Sequence, residues 1–202
     1  MTPLPREFSL VRFLRWSGVV LFSVLLSLAG AYLLVHGGGN FHEVEKGVVY
    51  RSSRLGAEKF EIALNSLKVK TVLNLCGEQP RERWYDEEVA VSRRLGVKFV
   101  SLGLSANAEL DAVQVTKLVE VLREASKPLL IHCRAGSDRT GLACALYVAL
   151  HGGSYRDAQD QLSLYYGHFP YFGSKSVAMD VTLDRFYKSV RGRRMASQAE
   201  VR

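Results

Sequence analysis

Beyond about residue 43, short β-rich apolar runs alternate with longer stretches of helical period. Val48, Val49 and Tyr50 predict a strand, residues 71–75 a buried one, and residues 97–102 and 129–131 two more. Between them, residues 57–67 place Phe60, Leu64 and Leu67 on one helical face. Residues 83–95 read as a polar helix closed by Gly96, and residues 109–125 align Val115, Leu118, Val119 and Leu122 in one stripe. Three helices follow, at 139–151, 155–166 and 176–190. Strands separated by helices of this length predict an α/β fold: a mainly parallel central sheet flanked by helices, with ligands bound at the carboxyl ends of the strands.

A different pattern precedes this domain. Residues 16–35 carry no charge, and about 20 such residues form a helix roughly 30 Å long, the thickness of a bilayer core. Arg6, Arg12 and Arg15 come before the run, and no Lys or Arg follows it until Lys46. That asymmetry predicts a cytoplasmic N-terminus, a single transmembrane helix and a folded domain on the non-cytoplasmic (periplasmic) side. Two other readings stay open: a signal peptide cleaved near Ala29, Gly30 and Ala31, and a buried core helix. The predicted organisation is a basic N-terminus at 1–15, an anchor or signal at 16–36, a glycine-rich linker at 37–42, a folded domain at 43–190 and a basic tail at 191–202.

Composition narrows the chemistry. With 202 residues, 48% hydrophobic and 23% charged, the chain suits one domain with an appendage. Its net charge of +7 fits an anionic partner without choosing which. Cys76, Cys133 and Cys144 are too few and too scattered for a disulfide framework, and the five histidines show no metal-ligand spacing, so no metal is predicted.

The candidate chemistry lies in residues 132–141, His-Cys-Arg-Ala-Gly-Ser-Asp-Arg-Thr-Gly, between a predicted strand and a predicted helix. A tight loop entering a helix N-terminus turns backbone N–H groups inward and adds the positive end of the helix dipole, which makes an anion cradle. Such a cradle favours the thiolate of Cys133, the nucleophilic form. Gly136 supplies the backbone freedom of the turn, and Gly141 permits close packing of the first helical turn. Arg139, six positions after Cys133, can fold its planar fork over the loop and bind two phosphate oxygens. Thr140 can hydrogen-bond the sulfur, and His132 is read as a packing and loop-ordering residue.

This loop fits the C-x5-R signature and resembles the protein tyrosine phosphatase superfamily in its compact dual-specificity branch, especially bacterial members with Gly-x-Asp-Arg-Thr-Gly. Residues 48–52, Val-Val-Tyr-Arg-Ser, resemble the opening strand of such domains. Residues 74–78, Asn-Leu-Cys-Gly-Glu, resemble a strand end in tensin-like and fungal-type members. The resemblance covers about residues 41–190. It implies a phosphatase with a cysteinyl-phosphate intermediate on Cys133, its phosphate bound by Arg139 and the amides of Arg134, Ala135, Gly136, Ser137, Thr140 and Gly141. The expected partners are phosphorylated proteins or phospholipids, the latter from the charge of Arg134, and a membrane through the uncharged run at 16–35, with no cofactor or nucleic acid.

One part of the family pattern is missing. Members usually carry an aspartate some thirty residues before the cysteine as general acid, and residues 98–105 contain no carboxylate. Asp138 inside the loop is one candidate, Glu109 or Asp111 another, and a reaction without a protein acid the third. Arg134 and Ser137 are expected to be exposed and to shape substrate choice, with Arg134 favouring multiply anionic substrates. Cys76 is a candidate redox partner, because both cysteines follow strands that would lie side by side. A rhodanese-like sulfurtransferase and a catalytically silent phosphate-binding module are the competing readings.

Overall fold

The computed structural model describes residues 10–200, with side chains at 13–30, 33 and 37–189. Arg6 and Arg12 of the basic N-terminus, and Arg191, Arg193 and Arg194 of the tail, lie outside the described side chains. Two compact units result, Met1–Gly38 and Gly39–Arg202. The first is one helix, α1 (Leu10–Gly37), in which residues Phe13–Gly30 are apolar enough and the helix long enough to cross a membrane.

The second unit holds a five-stranded sheet of order β1-β2-β5-β3-β4. Its strands are β1 (His42–Glu45), β2 (Val49–Ser53), β3 (Thr71–Asn74), β4 (Lys98–Ser101) and β5 (Leu129–Cys133). All neighbours are parallel except β1 and β2, which are antiparallel. The edge strand β1 differs from the sequence reading, which assigned its start to a linker. With the sequence His-Glu-Val-Glu it offers no apolar run, and it is held by its pairing to β2.

Side-chain alternation along the strands separates two helical layers. Tyr50, Val72 and Leu130 pack with Phe60 and Leu64 of α2 (Ala57–Ser66) and Val91 of α3 (Arg83–Arg94). On the other face Val49, Leu73, Leu129 and Ile131 meet α4 (Ala112–Glu124), α5 (Asp138–Leu150) and α7 (Val177–Glu200). Each fully buried leucine here contributes roughly 1.5–3 kcal/mol relative to exposure.

Two predicted helices change form. Helix α4 begins at Ala112 because Asp111 caps it, its carboxylate accepting from the Gln114 N–H. The stretch 155–166 divides into α6 (Tyr155–Asp160) and a 3-10 turn (Leu164–Tyr166). The division has a tertiary cause: the Gln161 carbonyl and side-chain oxygen both accept from Arg51 Nη1 at 2.9 Å, while the Tyr166 ring sits 3.6 Å from its guanidinium carbon. Helix α7 continues into the predicted tail as far as Glu200.

The loop after β5 lies directly against the end of β2. At Gly136, φ is +75°, and a Cβ would fall 2.6 Å from the Ser53 nitrogen and 2.7 Å from the Ser52 carbonyl carbon. Beneath it, fully buried Arg51 donates to the Gly136 carbonyl at 2.9 Å. A Gly136→Ala variant combines backbone strain with overlap against a main chain that cannot yield, and should lose about 2–4 kcal/mol in urea unfolding. An unchanged midpoint would contradict this close approach.

Candidate active site

Strand β5 ends on Cys133, level with Ser53 of β2, so its thiol stands at the carboxyl edge of the sheet. Cys133 is 2% exposed, and its Sγ accepts from the Gly136 N–H at 3.3 Å. Only residues 134–137 separate the strand from α5, whose first residue is Asp138. The sulfur therefore meets the Gly136 amide in the short turn that leads into the positive end of that helix.

Arg139, in the first turn of α5, reaches across the strand ends. Its Nη1 donates to the carbonyls of Leu75 at 3.3 Å and Leu104 at 3.4 Å, which hold one edge of the guanidinium. Its Nε is buried without a hydrogen-bond partner. An unmet buried donor costs about 1–3 kcal/mol, and a phosphate oxygen is the kind of acceptor that would meet it. Thr140 is fully buried with an unpartnered hydroxyl. Gly141 lets α6 approach, since a Cβ there would lie 2.8 Å from the Gln161 oxygen.

The remaining loop residues divide. Arg134 is exposed, as expected. Ser137 is not: it is 6% exposed, and its hydroxyl donates to Asp138 Oδ2 at 3.3 Å, so it shapes the loop from inside. Ala135 is half-buried, and its carbonyl accepts from Asn40 Nδ2 at 3.1 Å. Cys76 is half-buried, and burial pushes its thiol up, against the pull of Arg139. Strands β3 and β5 are neighbours, with Asn74 level with His132, so Cys76 lies one position further along than Cys133.

The candidate acids are engaged elsewhere. Asp138 Oδ1 accepts from His168 Nδ1 at 2.8 Å, and His168 Nε2 donates to Asp180 Oδ2 at 2.9 Å. Asp111 caps α4, and Glu109 pairs with Arg185. A groove of about 680 Å³ between α4 and α7 includes Leu110, Val115 and Phe186 in its walls and none of the loop residues.

Several site residues were not singled out from sequence. Arg51 and Asn40 brace the loop from below and from the side. Arg54 follows β2, its guanidinium 4.5 Å from the Trp84 ring and its N–H donating to the Arg134 carbonyl. Glu88 of α3 faces His132 at 3.5 Å, yet this is no ion pair. Burial pushes Glu88 up to about 8 against the pull of Arg54, and burial, then Arg54, lowers His132 to about 3, so both are neutral near pH 7. Only Arg51 carried a local signal, a charge within an apolar strand. The others are brought in by tertiary contact.

His168 adds a pH dependence. Burial alone would lower its imidazolium, but Asp138 and Asp180 outweigh that and hold it up to about 9. A folded value above the ordinary 6.5 means that its stabilisation is complete below about pH 6.5 and is lost as pH rises through about 9. His168→Gln should lower stability at pH 6 by about 1–3 kcal/mol and flatten the decline between pH 6.5 and 9. Parallel pH profiles for variant and wild type would contradict the clamp.

Comparison with known proteins places the chain. Residues 38–168 match the model of the PTP-SAK family, described as the Swiss Army Knife protein, DSP-PTPase phosphatase domain. The inositol diphosphatase SIW14 of Saccharomyces cerevisiae is 36% identical over 107 residues, covering 50% of this chain and 36% of that protein. The dual specificity protein phosphatase TpbA of Pseudomonas aeruginosa is 32% identical over 101 residues, covering 49% of this chain and 42% of that protein. The chain thus spans less than half the length of either curated relative. The crystal structure of the SIW14 core catalytic domain superposes with a TM-score of 0.57 at 27% identity, covering 77% of this chain and 92% of that one. The matched span contains the whole of the Cys133 loop and both strands it rests on, and the chain belongs to the dual-specificity branch of the protein tyrosine phosphatase superfamily.

Proposed function

We propose that this protein is a membrane-anchored cysteine-dependent phosphatase that works through a phosphocysteine on Cys133. The observation that carries the reading is the pairing, within one loop, of a buried Cys133 sulfur that accepts from the Gly136 amide with an Arg139 whose Nε is buried and unmet. In the first step Cys133 Sγ forms a bond to phosphorus as the bond to the leaving oxygen breaks. In the second, water attacks phosphorus, the S–P bond breaks, and inorganic phosphate departs with Cys133 restored. Arg139 and the loop amides stabilise the equatorial oxygens in both steps.

The leaving group takes its proton from solvent or departs as an anion. Both Asp138 oxygens already accept hydrogen bonds from neighbours, which supports a positioning role for this residue over proton donation. A site of this kind suits leaving groups that need little help, such as the phosphate released from a diphosphate. SIW14 is named an inositol diphosphatase, and that chemistry is compatible with a mouth flanked by Arg54 and Arg134. Phosphotyrosine and phospholipid head groups remain within the same anionic class. The anchor reading rests on the uncharged run at 16–35 and the arginines before it, an asymmetry that supports a domain outside the cytoplasm.

An assay of the full chain with p-nitrophenyl phosphate and with an alkyl phosphate separates these roles. Cys133→Ser should abolish turnover of both, while Asp138→Asn should slow both by a similar factor of roughly ten or less. More than about a tenth of wild-type activity in Cys133→Ser would sink the nucleophile assignment. A loss in Asp138→Asn confined to the alkyl phosphate would make Asp138 the acid.

A further inference from the structure

We infer that the rim formed by the 3-10 turn Leu164–Tyr166 and the aromatic loop 169–172 lies in the head-group layer of the bilayer, so that Cys133 receives phosphate groups borne by lipid. The inference rests on the anchored-phosphatase reading and goes beyond it by assigning a surface and a substrate source.

The first support is covalent. Gly38 alone stands between the end of α1 at Gly37 and the start of the compact domain at Gly39. Asn40 is three residues past the helix, and three residues extend at most about 11 Å whatever angle the chain takes. Its side chain donates both to the Ala135 carbonyl of the phosphate loop at 3.1 Å and to the Tyr166 carbonyl at 2.9 Å. Because β1 runs antiparallel to β2, with His42 level with Arg51, the chain enters at the carboxyl edge of the sheet, where Cys133 stands. An apolar helix of about 30 Å fills the hydrocarbon core, so the residues just past it emerge at head-group level. The phosphate loop is tied to that point by a side chain.

The second support is the surface itself. Alongside the entering chain, the His42 ring packs 5.1 Å from Tyr165 and 5.0 Å from Tyr166. Two residues on, His168 bonds Asp138 of the phosphate loop, and the chain then runs directly into Phe169, Tyr171 and Phe172. These side chains are turned outward: Phe172 is 97% exposed, Tyr165 67% and Tyr171 54%. A cluster of bare aromatics is costly in water, whereas aromatic rings are favoured at the boundary between head groups and acyl chains. Arg54 and Arg134, at the loop itself, give the same edge the positive charge that anionic head groups attract.

The test uses the full chain in vesicles of phosphatidylcholine and phosphatidylglycerol, with an environment-sensitive dye on Phe172→Cys or on Lys46→Cys in a background that carries both Cys76→Ser and Cys133→Ser, so that the dye meets one accessible thiol. Lys46 is exposed in the turn at the amino end of β2, one strand length from the Cys133 edge. Nitroxide-bearing lipids should quench the dye at 172 by more than roughly twofold and leave that at 46 nearly unchanged, as expected for side chains sunk about 5–10 Å into the interface. Equal, weak quenching at both sites would overturn the inference and leave the aromatic rim to a protein partner. Release of the chain from vesicles by alkaline carbonate would remove the anchor and the inference with it. Vanadate-sensitive hydrolysis of p-nitrophenyl phosphate by the wild-type chain in vesicles of the same composition reports the catalytic reading separately, whatever the dye shows.

Discussion

The structure depends on the contact between the phosphate loop and the end of β2. A main chain can come this close to another main chain only where there is no side chain, and Gly136 provides that place. Arg51 then fixes the distance from below, donating to the Gly136 carbonyl while its other nitrogen holds Gln161. Burying a guanidinium is expensive, and it is tolerated here because hydrogen bonds and the Tyr166 ring replace much of its hydration. The turn is thereby set before any anion arrives, with the Gly136 N–H aimed at the Cys133 sulfur.

The fold class was legible because parallel strands buried on both faces read as nearly continuous apolar runs, as at residues 129–131. The loop that holds Cys133 and Arg139 between a strand and a helix was legible because a loop of this type needs its residues at fixed spacing within ten positions. What could not be read depends on contacts distant in sequence. His168 carries no local mark of a partner at Asp138, thirty residues earlier. The strand His42–Glu45 has no apolar run of its own. The apolar period through 155–166 suggested one helix, and the need of Arg51 for the Gln161 carbonyl prevailed over it. Ser137 looked exposed because serine in a loop usually is, yet its neighbours fold over it.

Charge is distributed by layer around Cys133. Arg54, Arg134 and Arg139 surround the loop, while behind it Glu88 and His132 face one another as neutral groups. A charged Glu88 there would offset the arginines, and burial, by favouring its neutral form, leaves more of their positive field uncancelled. On the other flank His168 balances Asp138 and Asp180. The carboxylate next to Arg139 in sequence is thus answered locally by His168 and Ser137.

The most direct measurement is acid quenching of the full chain during turnover of a phosphate substrate, followed by mass spectrometry of the peptide that contains Cys133. The account predicts a phosphoryl group on the Cys133 sulfur that accumulates within the first turnover and is absent when vanadate is present. Turnover at the normal rate with phosphate found on another residue, or on none, would contradict it.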